Sequence, residues 1–127
     1  MIITEFKPFA MIRSDLDKKD KIGIVSCNAC ARMCETGGKE KMEEIKQRLE
    51  KEGYNVVDMD LIGIACDSKQ LKTAEFEGDT LVVLACDAGV HNLKKMFPEK
   101  NIVAALTTVG LGAWSSEGNL ELVKRFE

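Results

Sequence analysis

The chain has 127 residues, 45% of them hydrophobic and 31% charged, with a formal net charge of −3. That length suits one packed domain, and the composition is that of an ordinary globular protein. A slightly acidic chain with no Lys/Arg block and few aromatics (five Phe, one Tyr, one Trp) excludes a nucleic-acid binder built on a basic stripe or a base-stacking platform.

No apolar run reaches the length of a membrane-spanning helix, so no membrane association is expected. The opening MIITEFKPFAMIRSDLDKKD has neither the long apolar stretch nor the small-residue cleavage site of a signal peptide. A cytoplasmic location is the expectation. Thiols stay reduced there, so the five cysteines read as metal ligands or redox groups rather than structural disulfides.

In chain order, residues 1–20 predict an N-terminal extension. Pro8 suits the first turn of a short helix, and Phe9, Ile12 and Leu16 share one helical face. Lys21-Ile-Gly-Ile-Val-Ser26 is a short apolar run ending at Cys27 and reads as a buried strand. Residues 27–38, CNACARMCETGG, read as a loop. A helix is predicted over 39–51, with Met42, Ile45 and Leu49 on one stripe and Glu44 placed for an i,i+4 pair with Arg48. Gly53 is its natural stop.

A second strand is predicted at Asn55–Met59. The stretch from Asp60 to Cys66 is open between strand, loop and short helix, and residues 68–76 suit a short helix. Thr80–Ala85 is the clearest strand and ends at Cys86. Asp87-Ala-Gly89 reads as a turn before a helix over 90–97, which stops at Pro98. Asn101–Leu106 is a fourth strand, 107–112 a loop, and Asn119–Phe126 a helix. Strands alternating with helices imply a parallel sheet with right-handed crossovers. The expected fold is therefore α/β, a small three-layer Rossmann-like or flavodoxin-like sandwich with about four strands. Its single domain divides into the extension (1–20), an α/β core (21–112) and a C-terminal helix (113–127).

The strand-to-helix loops carry the chemistry. In open parallel sheets ligands gather at the carboxyl ends of the strands. Cys27 follows the first strand, Cys66 the second and Cys86 the third, while Cys30 and Cys34 belong to the first loop. All five are therefore expected at one edge. Cys27-x2-Cys30-x3-Cys34 lets three thiolates wrap one metal centre, with Cys86 or Cys66 closing it. The spacing reproduces neither a ferredoxin run nor the paired CxxC of a zinc ribbon. Gly37 and Gly38 are placed to let backbone N–H groups approach the sulfurs, and the following helix adds a favourable field for anionic ligands. The competing reading is that these are buried core cysteines, which are common.

Weaker candidates are His91, as a zinc ligand or proton carrier, and Asp67 and Asp87, as caps of the next segments. Thr107–Gly112 is glycine-rich but no phosphate-binding fingerprint. Met33, Met42, Met59 and Met96 read as core filler.

The segments IGIVSCNACARMCETGGKEKM, IACD, LVVLACDAGVHNL and IVAALTTVGLG, in that order and after the opening MIITEFKPF, resemble the MetV-like family. That family is the small cysteine-rich subunit, or C-terminal domain, of bacterial methylenetetrahydrofolate reductase. The resemblance covers residues 1 to about 112. It implies an accessory or electron-transfer role in one-carbon (folate) metabolism, with a flavin-containing reductase subunit as partner. Cys27, Cys30 and Cys34 match the family's first motif, and Cys66 and Cys86 the later ones. Family members commonly continue into a second cysteine-rich segment. Here no cysteine follows Cys86, so a second metal site is not expected.

Three functions are thus in play: an iron–sulfur accessory protein with a four-iron four-sulfur cluster, a zinc-stabilised interaction module, and a stand-alone flavodoxin-like redox protein. Thiolates suit both metals, so sequence does not choose between them. No nucleophile–base pair marks a catalytic residue.

Overall fold

The computed structural model describes residues 1–126. Four parallel strands form the central sheet: β2 (Lys21–Cys27), β3 (Asn55–Ile62), β4 (Thr80–Leu84) and β5 (Asn101–Ala104), in the order β3-β2-β4-β5. Counted within the sheet this is 2-1-3-4, the order of flavodoxin-like doubly wound folds. The two inner strands are apolar almost throughout because both their faces are covered. Every residue of β4 is buried, as is every residue of β2 after Lys21.

Helix α3 (Lys39–Lys51) links β2 to β3 and buries the predicted stripe Met42, Ile45 and Leu49. Each such side chain contributes roughly 1.5–3 kcal/mol by leaving water. Glu44 pairs with Lys41 at 3.4 Å rather than with the predicted Arg48. The Arg48 guanidinium instead lies over the Phe9 ring at 4.0 Å, where it covers apolar surface. The link from β3 back across β2 to β4 carries α4 (Ser68–Leu71), and α5 (Asp87–Met96) joins β4 to β5. Right-handed crossovers put α3 on one face and α4 with α5 on the other, and α4 and α5 pack together. The three-layer α/β expectation holds.

The remainder differs from expectation. A second, antiparallel sheet has the order β1-β6-β7, from β1 (Ile2–Phe6), β6 (Leu106–Trp114) and β7 (Leu120–Arg125). The predicted extension thus supplies a strand, β1, before the short helix α1 (Phe9–Ser14). The predicted glycine-rich loop 107–112 lies within β6, and the predicted C-terminal helix is replaced by the end of β6 and by β7; its last residue, 127, lies outside the described residues. Pairing decides these segments: β1 fits against β6 from Ile2 opposite Leu111 to Phe6 opposite Leu106, and β7 closes the other side. Only Ala105 separates β5 from β6, and its N–H still bonds Val83 O (3.0 Å). The second sheet therefore grows directly from the carboxyl edge of the first. Among the described residues no helix is long and apolar enough to cross a membrane.

Candidate metal centre

Strand β2 lies between β3 and β4, and its crossover leaves toward one face while that of β4 leaves toward the other. The crevice at such a switch point is where doubly wound sheets bind ligands. Cys27 ends β2 on one side of it, and Cys86 follows β4 on the other.

The first loop is tighter than the sequence suggests. It contains a single helical turn, α2 (Cys30–Met33), so Cys30 begins that turn and Cys34 closes it. Cys27 is buried, while Cys30 and Cys34 are half-buried. The two glycines serve a different purpose from the expected one. The Gly38 N–H donates to Ser26 Oγ (2.8 Å), not to a sulfur, and a side chain on Gly37 would meet Ser26 Oγ at 2.6 Å. Gly38 also has φ of 87°, a conformation that favours glycine. Ser26 is fully buried. It anchors the start of α3 and fixes the end of the cysteine loop, a role the apolar run around it gave no sign of.

Cys66 sits in the loop after β3, and Cys86 is the N-cap of α5. That helix starts at Asp87, so the predicted turn at 87–89 is its first turn. Asp87 N–H is held by Thr108 Oγ1 (2.9 Å), and Asp67 caps α4 by accepting from Lys69 N–H (3.0 Å). Ala65 ties the loops together. Its N–H donates to Cys27 Sγ (3.4 Å), and its carbonyl accepts from Asn92 Nδ2 of α5 (3.4 Å). A methyl on Gly89 would lie 3.0 Å from Ala65 Cβ and 2.9 Å from Ala85 Cβ, so the two loops are packed as closely as a glycine allows.

The Cys66 thiol is pushed up from its usual range, first by desolvation and then by the sulfurs of Cys86, Cys27 and Cys30, partly offset by a backbone hydrogen bond. Cys34 is set apart: its thiol points to Ile2 O of β1 (3.5 Å). His91 is exposed on α5. Cys27, Cys30 and Cys86 are thus near enough to influence Cys66, whereas Cys34 is bonded to the second sheet. Among the described residues, no three His, Cys, Asp or Glu side chains are drawn together closely enough to hold a metal ion as they stand.

The second sheet walls this region. Ile2, Thr108 and Phe126 join Cys86, Asp87 and Ala88 around a cavity of about 200 Å³. Exposed apolar side chains flank the other loops: Met33 beside Cys34, Leu61 at the end of β3, and Ile64 before Cys66. Met33 is 51% exposed and so is not the core filler its type suggested, whereas Met42 is buried and Met59 and Met96 pack against the core. Comparison of the chain with models of protein families, with curated proteins and with solved structures gave no match.

Proposed function

We propose that this chain carries a four-iron four-sulfur cluster on Cys27, Cys30, Cys66 and Cys86. In this reading it serves as an accessory electron-transfer protein to a flavin-containing reductase subunit in cytoplasmic one-carbon metabolism. The observation that carries the reading is that the three strand-to-helix loops bearing Cys27 and Cys30, Cys66, and Cys86 are tied together at the switch point through Ala65 and Gly89. The donor set fits in kind, since four thiolates are the usual ligands of such a cluster. Drawing the sulfurs onto one centre requires rotamer and loop adjustment, the usual coupling of metal binding to local ordering. The reductase partner and the folate pathway rest on the resemblance of the quoted motifs to the MetV-like family.

When bound, the cluster supplies one-electron transfer. The chain's own residues do the rest. Ala65 N–H orients Cys27 and draws charge from its sulfur, one of the ways a protein tunes such a site. The positive end of the α5 dipole lies at Cys86 and favours the negative charge of bound thiolates. Met33, Leu61, Ile64 and Phe126 offer apolar contact surface around the site. Cys34, with its thiol on Ile2 O, is left outside the ligand set.

The test mixes dithionite-reduced, cluster-loaded protein with a flavin-containing methylenetetrahydrofolate reductase subunit under anaerobic conditions. Reoxidation of this chain with matching flavin reduction is expected, and the isolated chain reduces no folate. Folate reduction by the isolated chain contradicts the accessory role. A colourless protein holding zinc on the same cysteines favours the structural alternative, because a four-thiolate set suits zinc equally.

A further inference from the structure

The loops bearing Cys66 and Cys86 are held against each other independently of any metal. Ala65 and Ala85, the residues just before them, both press on Gly89. Asn92 of α5 binds Ala65 O (3.4 Å) and pairs with Ser68 Oγ (3.4 Å), pinning the Cys66 loop to the helix that Cys86 caps. Cys66 is exposed, Cys86 is half-buried, and both are free thiols. Cys30 is half-buried as Cys86 is, while Cys27 and Cys34 are less available. Cys27 is buried with its sulfur engaged by Ala65 N–H, and Cys34 is turned to Ile2 O.

We propose that Cys66 and Cys86 form a reversible dithiol–disulfide pair whose oxidant is a small-molecule disulfide, and that the oxidised pair locks the site against metal. The first half stands on the thiols alone; the lock rests on the function proposed above. Cys66 is the thiol that solvent reaches first; as the pH rises it loses its proton and its sulfur attacks one sulfur of the small disulfide. That S–S bond breaks, the first small thiolate leaves and takes up a proton, and Cys66 holds the other half as a mixed disulfide. Cys86 then loses its proton and attacks Cys66 Sγ. The mixed S–S bond breaks, the Cys66–Cys86 bond forms, and the second small thiol departs protonated. The pair loses two electrons and two protons, and the small disulfide gains both as two thiols. Excess small thiol reverses the sequence. The bond removes two of the four proposed ligands, leaving Cys27 and Cys30.

The experiment treats reduced, metal-free protein with hydroxyethyl disulfide, quenches with acid, alkylates, and maps the peptides by mass spectrometry. The expected result is a Cys66–Cys86 linked peptide and a fall from five alkylatable thiols by two, restored by dithiothreitol. Cys86→Ser should trap the mixed disulfide on Cys66. A Cys27–Cys30 link instead, or retention of all thiols, overturns the pair. Zinc uptake is then measured on reduced and oxidised protein. Loss of uptake on oxidation supports the lock, and equal uptake overturns it. Reduced protein that takes up no zinc or iron yet forms the bond overturns the metal-centre reading and leaves the pair standing. Metal uptake without the bond does the reverse.

Discussion

The backbone N–H of Ala65 donates to Cys27 Sγ across 3.4 Å, joining the loop after β3 to the end of β2. Ala65 also abuts Gly89, so one small residue sets the spacing of all three cysteine-bearing loops. A site assembled this way depends on close packing at a few points, and each point makes a different experimental demand.

Ligand identity is the first. Cys30→Ser and Cys66→Ser should each remove most bound metal, measured by elemental analysis after anaerobic purification. Cys34→Ser should retain more than either, since its thiol is directed to Ile2 O. His91→Ala should leave loading nearly intact, because His91 is exposed on α5. Metal loss in His91→Ala alone contradicts the thiolate set.

Gly89→Ala sets two effects against each other. Replacing glycine in a helix returns about 1 kcal/mol of propensity. The added methyl would lie 2.9 Å from Ala85 Cβ and 3.0 Å from Ala65 Cβ, and neither methyl has a torsion that moves it away. Overpacking of this kind costs typically 1–3 kcal/mol. The expected net is a loss of roughly 1 kcal/mol in urea unfolding, together with weaker metal retention as the Cys66 loop is pushed off α5. A stabilised variant with full loading contradicts this packing.

Asp60, paired with Val25 of β2, gives a pH signature that involves no cysteine titration. Its pKa is raised, first by burial and then by its neighbour Asp58. Asp58 itself accepts from Glu77 N–H (2.9 Å) with one oxygen and leaves the other, Oδ1, buried without a partner. The folded chain therefore keeps the Asp60 proton to higher pH than the unfolded chain. The stability linked to it is present at low pH and is lost as pH rises from the ordinary aspartate value, about 3.9, through the raised one. Asp60→Asn should be more stable than the parent near neutral pH, with the advantage shrinking toward pH ~4. Urea midpoints at the two pH values measure this, and a parent more stable than the variant near neutrality contradicts it.

The parallel sheet was legible because its signal is local. Ile22 to Val25 and Leu81 to Leu84 are continuous apolar runs, each followed by a cysteine-bearing loop, and the stripe Met42, Ile45 and Leu49 marks α3. The antiparallel sheet was not, because its strands are defined by one another. Gly110 and Gly112 read as loop residues in isolation. In the fold a side chain on Gly110 would strike Lys124 O of β7, and one on Gly112 would strike Ile3 of β1 at 2.6 Å. Leu120 to Arg125 is too short for periodicity to separate helix from strand. The cysteines themselves were placed by spacing alone. What spacing did not show was the turning away of Cys34, which needs β1 beside it, and the anchoring of the loop by Ser26.

Anaerobic purification followed by iron, acid-labile sulfide and zinc analysis tests the central claim most directly. The account predicts a brown protein with iron and sulfide in equal amounts and broad visible absorption, all lost in Cys66→Ser. A colourless protein with neither iron nor sulfide, even after anaerobic reconstitution with both, would contradict it.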